Sequence, residues 1–104
     1  MSTQIAPVKG LTVQFRRWNC TVHKSTYGND RTALVLNDTK DGERVLVATI
    51  NVPDEFLFPG EVIIKDYSEN HGIYQVLLDA GIISEELRRV DTGFVYGKVC
   101  KLLI

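Results

Sequence analysis

Leu11, Val13 and Phe15 alternate with Thr12, Gln14 and Arg16, the period-two pattern of a half-buried strand. Arg16 to Asn19 turns the chain, and Cys20 to Tyr27 supplies β-favouring residues for a second strand. Gly28-Asn29-Asp30 is a turn cluster, followed by a short strand over Thr32–Leu36 that is apolar on both faces. Asp41-Gly42 is a hairpin signal, because both residues tolerate positive φ. A fourth strand runs from Arg44 to Val52 and stops at Pro53, which cannot donate to a ladder. Val62-Ile63-Ile64 centres a fifth strand over Glu61–Lys65.

The period then changes. Ile73, Tyr74, Leu77 and Leu78 recur at helical spacing and predict one apolar stripe on a helix over about 69–80. Asp66 and Ser68 are candidate N-caps, Glu69 lies in the first turn, and Gly81 is the stop. Ser84 to Leu87 predicts a short helical turn, Thr92-Gly93 a turn, and Phe94 to Leu103 a last strand in which Gly97 marks a bulge or a close approach. The fold class read from this order is α+β: a mainly antiparallel sheet of five to seven strands packed by one principal helix. Residues 1–9 read as a tail and 10–104 as a single domain, since 104 residues leave little room for two.

Charge alters this picture little. The net charge is -1, which fits neither a nucleic-acid-binding polycation nor an acidic tail. The balance is uneven: residues 1–53 hold seven Lys/Arg against four Asp/Glu, and 54–104 hold five against nine. An acidic face of that kind is either plain solvated surface or a surface for a basic partner. The two cysteines, Cys20 and Cys100, are too sparse for a disulfide framework and point to a reducing compartment, although their strands could bring them together. The start of the chain lacks a basic region followed by an apolar one, and no apolar run reaches the roughly 18 residues of a membrane span. A cytoplasmic location with no membrane partner is therefore expected.

The densest polar stretch is Lys65, Asp66, Tyr67, Ser68, Glu69, Asn70 and His71, between a strand and a helix start. Capping alone accounts for Ser, Asp and Glu there. A small anion- or nucleotide-binding module is the functional alternative, with amides of the helix N-terminus holding an anion, Lys65 adding charge and Tyr67 stacking. The loop holding Phe56, Leu57 and Phe58 either tucks beneath the helix or stands exposed as a partner contact. Arg16, Arg17 and Trp18, with Lys9 and Lys24, are the one nucleic-acid-like cluster, but the overall charge argues against direct nucleic-acid binding.

Cys20, His23, His71 and Cys100 lack the paired spacing of a zinc site, so no metal and no cofactor are expected. No nucleophile elbow, phosphate loop or dinucleotide fingerprint is present, and no catalytic residues are assigned.

The chain resembles a family of small proteins, a domain of unknown function, carried by bacteriophages, plasmids and conjugative elements. The run Ile64-Lys65-Asp66-Tyr67-Ser68-Glu69-Asn70-x-Gly72 carries most of the resemblance. Arg31-x-Ala33-Leu34-x-Leu36, Asn51-Val52-Pro53, Gly60-Glu61-Val62, Ala80-Gly81-Ile82, Thr92-Gly93-Phe94-Val95 and Val99-Cys100-x-Leu102 are looser matches. The resemblance covers most of residues 31–103 and leaves the first thirty out.

It implies a genomic context rather than an activity: a non-enzymatic accessory protein that binds a host protein or ribonucleoprotein complex in the bacterial cytoplasm. Inhibition of a host defence system, CRISPR or restriction, is the expected role. Candidate partner contacts are Asp54, Glu55, Phe56, Phe58, Glu61, Glu85 and Glu86, with Asp66 and Glu69 adding to the acidic set.

Overall fold

A computed structural model describes residues 6–93 and 95–104. Among the described residues it is an α+β fold of eight strands in two four-stranded antiparallel sheets, with one α-helix. The strands differ from the expected set in three places, two of which raise the count. β1 (Ala6–Phe15) begins inside the segment expected as tail, and residues 1–5 lie outside the described part. The single strand expected over 44–52 is broken in two, and a strand near residue 90 had no alternation to betray it.

The first sheet is a meander of β1, β2 (Trp18–Thr26), β3 (Thr32–Asp38) and β4 (Arg44–Val47), each paired with the next. The β1–β2 turn is only Arg16-Arg17, with Arg16 at φ 55. The Asp41-Gly42 turn forms as read, with Gly42 at φ 74 and its amide on the Asp38 carbonyl at 2.9 Å.

β5 (Thr49–Ile50) opens the second sheet, followed by β6 (Glu61–Ile64), β7 (Arg88–Asp91) and β8 (Tyr96–Lys101) in the order β5-β6-β8-β7. Ala48, fully buried, is the switch between the sheets. Its amide donates to the Leu34 carbonyl and its carbonyl accepts from the Lys65 amide, both at 2.8 Å. One residue thus joins the two ladders, and the chain bends there instead of continuing straight.

The main core lies between the sheets, where Val22, Leu34, Leu36, Val62, Ile64 and Cys100 meet Ile73 and Leu77 of the helix and Ile82 and Ile83 beyond it. Cys20 and Cys100 are both buried in this core as free thiols. A second, smaller core covers the other face of the second sheet: Ile63, Val90 and Val99 under Ile50, Val52 and Leu57. This explains why Val62-Ile63-Ile64 is apolar without interruption, since β6 buries both faces.

The helix is shorter than the spacing predicts. A 3-10 turn over Ser68–Asn70 comes first, and α1 spans Ile73–Asp79 after Gly72, which sits at φ 99. Gly72 is the reason: its left-handed backbone breaks the stretch in two, and a side chain there would be strained. The C-terminal stop forms as read. Gly81, at φ 74, donates to the Leu78 carbonyl, and Ile82 donates to the Leu77 carbonyl, a Schellman pair. No helix among the described residues is long and apolar enough to cross a membrane.

Ser84–Leu87 is not helical. Ser84 instead exchanges hydrogen bonds with Lys101, its amide donating to the carbonyl at 2.9 Å and its Oγ accepting from the amide at 2.8 Å. This pulls the segment extended and delivers the chain into β7, an edge strand with only Val90 buried.

Candidate functional site

The segment from Lys65 to Gly72 is built mostly by its own packing. Asp66 Oδ1 accepts from the amides of Gly72 and Tyr74, each at 3.0 Å, and Oδ2 accepts from Lys98 Nζ at 2.9 Å. Asp66 therefore caps α1 from a distance in sequence, a role that residues adjacent to a helix usually fill. Burial pushes its carboxyl pKa up, but the Tyr74 amide, Lys98 and the Gly72 amide together outweigh that and hold it below the ordinary carboxylate range.

Ser68, the other cap candidate, makes no capping hydrogen bond. Asn70 is buried and donates to the Val47 carbonyl at 2.7 Å, beside the sheet switch. Glu69 pairs with Lys65 at 2.5 Å, and Lys65 also lies 5.6 Å from the Tyr67 ring. The helix-start amides of the anion-binding reading are thus occupied by a carboxylate of the same chain. Tyr67 and His71, with the paired Asp66, are the members of the segment that line a basin beside it.

That space is a shallow basin of about 430 Å³ lined by Asp66, Tyr67, His71, Arg89, Val95, Tyr96 and Lys98. Arg89, Tyr96 and Lys98 come from β7 and β8, where Arg89 is opposite Lys98 and Asp91 opposite Tyr96. They were not singled out in the sequence, because only strand pairing brings them to residues 65–71. Lys98 lies 4.4 Å from the Tyr74 ring and Arg89 5.6 Å from the Tyr96 ring.

A different arrangement surrounds Phe56 and Phe58. The loop does not tuck beneath the helix. Leu57 alone turns inward, onto the second core, while Phe56 and Phe58 are 64 % and 59 % exposed. Their rings meet edge to face with centroids 4.8 Å apart.

Two arginines fix the loop backbone. Arg31 donates to the Val52 carbonyl at 2.8 Å and to the Glu55 carbonyl. Arg88 holds Glu61 with both Nη atoms, at 2.7 and 3.0 Å, and donates to the Phe56 carbonyl at 3.1 Å. Glu61 in turn accepts from the Phe58 amide at 2.8 Å. Arg88, with this amide in support, draws the Glu61 carboxyl below its usual range despite some desolvation.

The acidic candidates divide accordingly. Glu61, Asp66, Glu69 and Glu86 are paired with Arg88, Lys98, Lys65 and Arg89. Asp54, Glu55 and Glu85 make no ion pair among the described residues. Four of the nine acidic residues in the second half are thus paired within the fold, and Asp54 and Glu55, beside the two phenylalanines, are among the five that are not.

The basic cluster is similarly engaged. Arg16 donates to the His71 carbonyl at 3.2 Å, Arg17 lies 4.9 Å from the Trp18 ring, and Lys24 reaches the Ile104 carbonyl at 3.2 Å. The Lys9 side chain lies outside the described part. Among the described residues no three His, Cys, Asp or Glu side chains gather to hold a metal ion. Comparison with protein-family models, with curated proteins and with solved structures finds no match.

Proposed function

We propose that the protein is a non-enzymatic accessory protein of a bacteriophage or mobile element that binds a host protein in the bacterial cytoplasm, through the loop carrying Phe56 and Phe58. The supporting observation is the exposed edge-to-face phenylalanine pair on a backbone pinned by Arg31 and Arg88. Contiguous exposed apolar surface marks interaction sites, and aromatic anchors dominate binding energy at protein interfaces. A loop already held in shape loses little conformational entropy on binding. Asp54 and Glu55 beside the rings favour a partner that offers an apolar socket with a basic rim, as a nucleic-acid-handling defence complex would.

The test uses tagged wild-type protein and a Phe56→Asp/Phe58→Asp variant as baits in host lysate. The variant should keep the wild-type circular dichroism, because both rings are exposed. It should lose a host protein that the wild type retains in stoichiometric amount. Loss of one such anchor typically costs about 2 kcal/mol or more, roughly 30-fold in Kd. Relief of CRISPR or restriction interference in cells should disappear with the same variant. Equal retention by both baits would overturn the assignment to this loop.

A further inference from the structure

The basin between the β6–α1 loop and the β7–β8 hairpin has features that the phenylalanine loop does not use. We infer that it is a binding site for a nucleoside monophosphate, with Tyr67 and Tyr96 receiving the base and Arg89 and His71 the phosphate.

The volume, about 430 Å³, falls within the range of small-ligand sites. Its walls come from separate stretches of chain, residues 66–71 on one side and 89–98 on the other, so the fold itself assembles it. The two lining cations are not equivalent. Lys98 is committed to Asp66 and to the face of Tyr74. Arg89 gives only Nε to Glu86, at 2.7 Å, and its two Nη groups have no partner among the described residues. That leaves a planar fork of donors, the geometry that matches a phosphate monoester.

Tyr96 is 58 % exposed, a large ring with the Arg89 guanidinium 5.6 Å from its centroid. The Tyr67 and Tyr96 hydroxyls and the His71 ring likewise make no hydrogen bond to described residues, although all three border the basin. A ring to stack on and a guanidinium fork at its edge select a ligand that is both aromatic and anionic. A bare anion would leave the tyrosines unused, and an uncharged base would leave Arg89 unused.

Phosphate binding is thereby placed on Arg89 instead of the helix amides, which Asp66 already fills. Asp66 and Glu86 also put two carboxylates at or beside the basin. Their charge opposes an anion and keeps the affinity weak.

Amide chemical shifts of the full chain, titrated with AMP, GMP, CMP and UMP, test the site, with adenosine and inorganic phosphate as separate arms. At least one nucleotide should shift the amides of Tyr67, His71, Arg89 and Tyr96 together. Tyr96→Ala should abolish the response, and Arg89→Gln should weaken nucleotide binding about tenfold while leaving the response to adenosine unchanged. The inference is overturned if none of the four nucleotides shifts these amides. It is also overturned if phosphate alone shifts them as strongly as the nucleotides, or if Arg89→Gln is without effect. Its residues are distinct from Phe56 and Phe58, so either proposal can fail without the other.

Discussion

Replacing Asp66 with alanine should destabilise the protein by about 3 kcal/mol, and the reasoning can be followed bond by bond. The side chain is 15 % exposed and accepts from the Gly72 amide, the Tyr74 amide and Lys98 Nζ, all within 3.0 Å. Alanine leaves two amides at the start of α1, and the ammonium of a Lys98 side chain that is 24 % exposed, without their acceptor. Hydrogen bonds to a charged group are worth about 1.5–3 kcal/mol each, and removing one partner of a buried pair costs about 3–5 kcal/mol. Partial exposure lets water replace some of what is lost, which places the expectation at the lower end.

For a chain of 104 residues each kcal/mol moves the midpoint by about 4–8 °C, so thermal unfolding followed by circular dichroism should show a fall of about 12–24 °C. Asparagine keeps an oxygen for the amides but withdraws the charge from Lys98, and should cost about 1–2 kcal/mol. The pH dependence identifies the group. The Asp66 pKa is lower in the folded state than in the unfolded chain, so the stability it adds is fully present above the unfolded value, about 3.9. That stability is lost as pH falls through the folded value. The gap between wild type and Asp66→Asn should hold from pH 7 to about 5 and then close on acidification. An alanine variant melting within about 3 °C of wild type would refute the distant cap. So would an asparagine gap that widens in acid.

Two further expectations follow from the core. A Cβ added at Gly97 would lie 2.4 Å from Ile63 Cγ2 and 3.2 Å from Ile50 Cδ1, so Gly97→Ala should cost about 1–3 kcal/mol by overpacking. The penalty should shrink in an Ile63→Ala background, and equal penalties in the two backgrounds would sink the steric explanation. Burial, with Glu86 adding to it and Lys98 opposing, pushes the Cys100 thiol up to about 12, and burial chiefly, with Asp38, also raises Cys20. Native protein at pH 8 should therefore release no chromophore from a disulfide reagent within minutes, and two thiols should react after denaturation without reductant. Rapid reaction of the native protein, or the absence of thiols after denaturation, would contradict the buried free cysteines.

How far the sequence reached depended on whether a residue's role was settled by its neighbours in the chain. Period two placed β1, β-favouring residues and short apolar runs placed β2, β3 and β6, and the residues that tolerate positive φ placed the turns at Asp41-Gly42 and Gly81, because strand patterning and turn sterics are local. The switch at Ala48 was not local: Val47, Ala48 and Thr49 read as one strand, and only Leu34 and Lys65, bonded to Ala48 from both sides, divide it. Gly72 is an instructive middle case. Its cost to the helix was legible, yet the outcome, a helix starting at Ile73 with its cap at Asp66, depends on Lys98 arriving from β8 to complete the carboxylate's partners.

The same logic explains the two proposed surfaces. Phe56 and Phe58 stood out in sequence because apolar residues in a loop are conspicuous, but Leu57 shares that character. Which of the three turned inward was decided by the second core, through Ile63, Val90 and Val99. Arg89 stayed hidden for the opposite reason. An edge strand with one buried residue has no alternation to read, so nothing singled out Arg88 and Arg89. Once β7 pairs with β8, one residue of phase separates them: Arg88 turns to Glu61 beside the phenylalanine loop, and Arg89 turns to the tyrosine basin. Adjacent arginines thus serve opposite faces of one sheet. A charge swap at either position should therefore affect one surface and spare the other.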